Sequence, residues 1–187
     1  MPSISRTLTV ESPQAEVWTF VKDMGNWASR MPGYVSHEVV DEDNSVWTVQ
    51  FNVGPFTRPC VMDVHVSNWG EPSAVNFTVK GRFDPFEGQG GFISRRADAG
   101  TQIDLEFGVE GTGSMAKVIS AMAAPVLATV GDQFVKNMAT AIAEQGDRQA
   151  GIAAAASTTT KSSTWRRFTL WLSGLFGRAK PESHSRS

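Results

Sequence analysis

Between Ser114 and Glu144 the apolar residues recur every three or four positions, a spacing that predicts one long helix. Met115, Val118, Ile119, Met122 and Val126 share a face. Val130, Phe134, Met138 and Ile142 continue the stripe at a spacing of four, so it drifts around the axis. Pro125 offers no N–H to the Ala121 carbonyl and predicts a kink there. At about 1.5 Å per residue this helix is roughly 45 Å long. It needs a large apolar partner.

The chain before it follows a period of two instead. Ile4, Leu8 and Val10 alternate with polar neighbours in Ser3–Val10. Trp47, Val49, Phe51 and Val53 form a second inward set, and Cys60, Met62, Val64 and Val66 a third, with Val61, Asp63, His65 and Ser67 facing the other way. Val75, Phe77 and Val79 form a fourth, and Ile103, Leu105, Phe107 and Val109 the last. Two short helical pieces interrupt the strands early. Pro13–Lys22 places Val17, Trp18 and Val21 on one face, with Ser12 as N-cap and Pro13 at the first helical position. Asn26–Arg30 is stopped by Met31-Pro32-Gly33.

Strand, two short helices, about six strands and one long helix make an α+β fold: a curved antiparallel sheet of about seven strands around a C-terminal helix. A helix laid across a concave sheet leaves space, so an apolar cavity is expected in a domain spanning residues 1–144. The inward positions assigned to its wall are Trp18, Phe51, Phe77, Phe107, Met122, Val126, Val130 and Phe134. Gly88, Gly90 and Gly91 lie outside any strand–loop–helix context, so they bend a strand or leave room against a ligand.

The tail has a different character. Residues 145–164 are rich in Ala, Ser, Thr and Gly, cannot build a core, and are expected to form a flexible linker whose alanine run is transiently helical. Residues 165–178, WRRFTLWLSGLFGR, form an amphipathic helix. Trp165, Phe168, Trp171, Leu172, Leu175 and Phe176 cover a face of about 140° with Arg166, Arg167 and Arg178 around it, Leu170 being the exception. Fourteen residues at about 1.5 Å each fall short of a hydrocarbon core of about 30 Å. The expected partner is a membrane surface, contacted through Trp165, Arg166, Arg167, Phe168, Trp171, Leu172, Leu175 and Phe176. A protein partner and docking on its own domain are the alternatives. Residues 179–187 read as a disordered polar end.

Charge sharpens this division. Residues 161–187 hold six basic residues and one acidic, leaving 11 basic and 18 acidic in residues 1–160. An acidic body and a tail this apolar argue against nucleic acid. Cys60 is the only cysteine, so no intramolecular disulfide forms, and MPSISRTLTV lacks the basic start and apolar core of a secretion signal. Both point to a reducing cytoplasm. The Asn76-Phe77-Thr78 sequon reads as ordinary strand. No catalytic or metal-binding constellation emerges: Cys60 and His65 point to opposite faces, and no nucleophile is arranged beside Asp63. Arg95-Arg96 reads as a solvated strand end.

The opening strand, the helix Glu16-Val17-Trp18-Thr19-Phe20 with Lys22-Asp23, and Met31-Pro32-Gly33 resemble the start of the START/Bet v 1-like (SRPBCC) helix-grip superfamily. More narrowly, Pro32-Gly33, Val53-Gly54-Pro55 and the lead-in Gly111-Thr112-Gly113-Ser114 resemble the carbon monoxide dehydrogenase G-subunit family, in order over residues 3–144. The resemblance implies a monomeric, non-enzymatic accessory protein of a molybdenum carbon monoxide dehydrogenase, peripheral on the cytoplasmic face of the cell membrane. With the cavity and the tail, it implies a carrier of an isoprenoid quinone, menaquinone or ubiquinone, that passes electrons on as cargo, with no metal. A recruitment adaptor with a filled core is one alternative. A polyketide-cyclase-like enzyme is the other; it needs polar groups in a cavity whose inward faces read as almost wholly apolar.

Overall fold

The computed structural model describes residues 1–53 and 56–173. Seven strands form one antiparallel sheet: β1 (Ser3–Val10), β2 (Tyr34–Val39), β3 (Asn44–Val53), β4 (Phe56–Gly70), β5 (Ala74–Gly81), β6 (Phe86–Ala97) and β7 (Gly100–Gly111). Strands β2 to β7 follow one another as a meander, and β1 pairs with β7, giving the order β1-β7-β6-β5-β4-β3-β2. The two strands flanking the early helices therefore sit at opposite edges. Helices α1 (Gln14–Val21) and α2 (Met24–Ala28) carry the chain from one edge to the other.

The alternation dictates which face is covered. Trp47, Val49, Cys60, Met62, Val64, Val66, Val75, Val79 and Ile103 are buried, while His65 stands in solvent, bonded to Asn44. Val17, Phe20 and Val21 of α1 and Met24, Trp27 and Ala28 of α2 complete the core at this end. Ser12 does not cap α1, although its position suggests it. Pro13 occupies the N-cap without a side-chain bond, and buried Ser12 instead offers its carbonyl to the Thr101 hydroxyl at 2.8 Å. Helix α2 begins earlier than expected because Asp23 caps it, accepting from the Gly25 N–H at 2.8 Å.

A 3-10 turn, Gly113–Met115, leads into helix α3, Ala116–Ser173, with Pro125 inside it. The helix does not stop near Glu144. The residues expected to form a flexible linker are helical, because an alanine-rich run without a proline between Pro125 and Pro181 gives the helix nothing to end on. The chain divides into two compact units, Met1–Gly146 and Asp147–Ser187. Gly54, Pro55 and residues 174–187, including Leu175, Phe176 and the polar end, lie outside the described residues, as do the side chains that would form the aromatic face of 165–173.

Within the first unit α3 is seated unevenly. Met138, Ala141 and Ile142 are 3%, 2% and 1% exposed, whereas Val118, Met122 and Val126 are 50%, 49% and 42% exposed. One end of the helix is packed against the core; the other stands off the sheet. The gap between them is the site.

Candidate ligand cavity

The gap is a cavity of about 570 Å³, within the range of about 300–1,000 Å³ common for small-molecule sites. Seven of the eight residues assigned to its wall from sequence line it: Phe51, Phe77, Phe107, Met122, Val126, Val130 and Phe134. Trp18 does not. Its ring packs edge-on against Trp69 at 6.3 Å and is 8% exposed, so it belongs to the solid core. Trp27 takes the place expected of it, lining the cavity with its ring 5.7 Å from Phe77 and its Nε1 donating to the Val21 carbonyl at 2.6 Å.

Phe77 and Phe107 stack at 5.9 Å with an interplanar angle of 19°. Gly90 on β6 makes this possible, since a Cβ there would lie 2.5 Å from Phe77 Cζ and 2.8 Å from the Glu106 carbonyl. The aromatic pair fills the room this glycine leaves, not a ligand. An Ala at 90 displaces the pair, and we expect it to lower stability by about 1–3 kcal/mol in a denaturant titration. An unchanged midpoint would show the stack to be dispensable.

The wall is less apolar than the strand pattern implies. Arg6, Arg58, Cys60, Asp84 and Glu106 line it too. Arg6 shares the inward side of β1 with Ile4 and Leu8 and pairs with Asp132 of α3 at 2.6 Å. Arg58 of β4 pairs with Asp84 at 2.6 Å. The Cys60 thiol, two residues along β4, donates to the same Asp84 carboxylate. Burial, then the charge of Asp84, pushes the thiol up to about 12 from an ordinary 9.0. At neutral pH it is therefore a weak donor and a poor nucleophile. A thiol reagent at pH about 8 should react with the folded protein at least about a hundredfold more slowly than with free cysteine, recovering on unfolding. A rate equal to that of free cysteine would contradict the buried, carboxylate-facing thiol.

Among the described residues no group of His, Cys, Asp and Glu could hold a metal ion. His37 and His65 lie away from the cavity. His37 bonds to the Tyr34 hydroxyl at 2.9 Å beside Gly25 of α2. What remains is an apolar slot with a polar station, Arg58, Asp84 and Cys60, on one wall. It suits an amphiphile with an apolar body and a hydrogen-bond acceptor at one end.

A family model described as polyketide cyclase / dehydrase and lipid transport matches residues 1–143. Among curated proteins none matches the sequence. Among solved structures, a conserved protein from Geobacillus kaustophilus is similar with a TM-score of 0.62 and 20% identity, covering 76% of this chain and 93% of its own. The Zhui aromatase/cyclase from Streptomyces sp. R1128 is similar with a TM-score of 0.56 and 14% identity over 79% and 94% of the two chains. Ara h 8.0201 gives 0.53 and 16% over 75% and 96%. At these identities the likeness establishes the fold, the helix-grip arrangement expected from the strand order.

Proposed function

Because the chain belongs to the polyketide cyclase / dehydrase and lipid transport family, we propose that it is a carrier whose cavity holds an isoprenoid quinone, menaquinone or ubiquinone, and delivers it to a soluble molybdenum carbon monoxide dehydrogenase. The observation that carries the ligand class is the cavity itself: mostly aliphatic and aromatic, open on one side, with the polar station of Arg58, Asp84 and Cys60 and, apart from it, Arg6 and Glu106. Quinone carbonyls accept hydrogen bonds, and the Arg58 guanidinium, which has N–H groups beyond the one that meets Asp84, is a donor on that wall. Methionines 31, 62, 122 and 138 line the remainder, and their flexible thioethers adapt to a mobile chain. A cavity of about 570 Å³ has room for a ring and the start of a tail, so a long isoprenoid chain would extend through the open side.

The choice of dehydrogenase rests on the narrower resemblance to the carbon monoxide dehydrogenase G-subunit family carried by Pro32-Gly33, Val53-Gly54-Pro55 and Gly111–Ser114. In this reading the protein works on the cytoplasmic side, held at the membrane by residues 165–178, and the quinone is cargo on which no side chain does chemistry. Arg58, Asp84, Cys60, Arg6 and Glu106 favour a second reading, an aromatase/cyclase-like enzyme acting on a polyketide, since such a reaction needs polar groups in the cavity.

Organic extraction and mass spectrometry of the full chain, purified from its native membrane fraction, tests the carrier. A stoichiometric isoprenoid quinone is expected, and a short-chain quinone should quench Trp27. Absence of any lipid, together with unquenched tryptophans, would end the carrier reading. A polyketide in the extract would favour the enzyme.

A further inference from the structure

The polar station discriminates by what a headgroup can donate. Asp84 is fixed by its own turn: the Phe86 N–H donates to its carbonyl at 2.9 Å, and a Cβ on Gly81 would lie 2.3 Å from that same oxygen. The Thr112 N–H donates to the Pro85 carbonyl at 2.7 Å and ties the turn to the lead-in of α3. The Asp84 carboxylate takes the Arg58 guanidinium at 2.6 Å and the Cys60 thiol. Its side chain still keeps 20% of its surface open on the cavity wall. A carboxylate has about four acceptor positions, so two donors leave room for a third.

Charge on the wall decides what that third donor belongs to. Arg58 is matched by Asp84 and Arg6 by Asp132, each at 2.6 Å, so neither arginine of the wall is left over for an acid. An anionic headgroup would have to displace a carboxylate or stand beside it uncompensated. A quinone brings acceptors only. Its carbonyl can take an N–H from Arg58, but it turns lone pairs towards Asp84. A hydroquinone satisfies both groups, its O–H donating to Asp84 and its oxygen accepting from Arg58. Hydrogen bonds to an ionised group are roughly twice as strong as neutral ones.

We propose that Asp84 and Arg58 select a neutral headgroup that donates an O–H and accepts an N–H at the same oxygen, and so hold the hydroquinone form of the cargo more tightly than the quinone. That the hydroxyl compound is a quinol rests on the carrier reading; the selection of a neutral hydroxyl over a carboxylate does not. An apolar wall alone would favour the less polar quinone, so the order of the two affinities reports on the station. A preference of about tenfold for quinol raises the midpoint potential of the bound couple by about 30 mV, which makes the loaded carrier the readier electron acceptor.

The test is calorimetric titration of the full-length protein, without oxygen and at neutral pH, with a short-chain ubiquinone, its quinol, decanol and decanoate. Quinol should bind about tenfold more tightly than quinone. Asp84→Asn removes the carboxylate and leaves Arg58 without its counter-charge. The quinol preference should then fall below about twofold, and decanoate should bind at least about tenfold more tightly than it does to the wild-type protein. A gain in binding cannot come from a chain that fails to fold. Equal affinities for quinone and quinol in the wild-type protein, or decanoate binding that ignores Asp84→Asn, would overturn the proposal. If decanol binds and the decanoate gain appears, but neither quinone nor quinol binds, the carrier reading falls and the selection of hydroxyl over carboxylate stands. If none of the four binds, both fall.

Discussion

Val130→Trp should abolish binding of an apolar ligand and, in the same protein, raise the melting temperature. Val130 is a partly covered residue of α3 on the cavity wall, and an indole built there grows into the cavity. If the space is a real void, the indole covers roughly 100 Å² of further apolar surface, a gain of about 2 kcal/mol at about 25 cal/mol per Å². For a chain of this size that is a rise of roughly 5 °C. A ligand needing the same space should lose at least about a hundredfold in affinity, about 2.7 kcal/mol. If instead α3 settles onto the sheet in solution and closes the gap, the indole overpacks the core and costs about 1–3 kcal/mol. The sign of the stability change therefore separates a void from a collapsed core before any ligand is known. Calorimetric melting and a titration with a short-chain quinone give both readings. A lower melting temperature with unchanged binding would remove the cavity from consideration.

The parts of this molecule that can be read from its sequence are those governed by a local period. Ser3–Val10 is a strand with those ends, and the inward faces of β3, β4, β5 and β7 follow the alternation, because one covered face fixes every second residue. The same logic passes over the polar groups of the wall. Arg6 lies on the inward side of β1, but a count of apolar positions skips it, and its partner Asp132 is 126 residues away. Arg58 and Asp84 meet across two strands and a turn, and no spacing announces that. Trp18 has the right helical spacing for an inward residue. Whether inward means void or solid core depends on Trp69 at the far end of β4, which no pattern within α1 can reveal. Trp27 escapes for the complementary reason, since α2 is too short to show a face. The end of α3 is misplaced when a lack of large apolar residues is equated with a lack of structure, although alanine is the strongest helix former.

Gly33→Ala should be among the most destabilising single-methyl changes in the chain, by about 3 kcal/mol. Gly33 follows α2 and turns the chain into β2 with φ +75°, a conformation costing an alanine about 1–2 kcal/mol. The turn is also crowded. A Cβ at residue 33 would lie 2.1 Å from the carbonyl oxygen of Gln50, and the Gln50 N–H donates to the Gly33 carbonyl at 2.7 Å. Alanine must therefore push β3 away, losing that hydrogen bond and about 1 kcal/mol more. The melting temperature should fall by roughly 6–12 °C. Gly113→Ala is the matched control. Gly113 has φ +64° but nothing within 4 Å of its added Cβ, so only the conformational cost applies and the fall should be about half as large. Equal losses at the two positions would show that the clash with Gln50 is relieved at no cost. Because Trp47 and Phe51 lie on β3 and line the cavity, the larger loss at Gly33 should come with weaker ligand binding, and Gly113→Ala should leave binding unchanged. The Pro-Gly that carries the family resemblance thus has a physical role, since it sets where β3 lies, and with it one wall of the site.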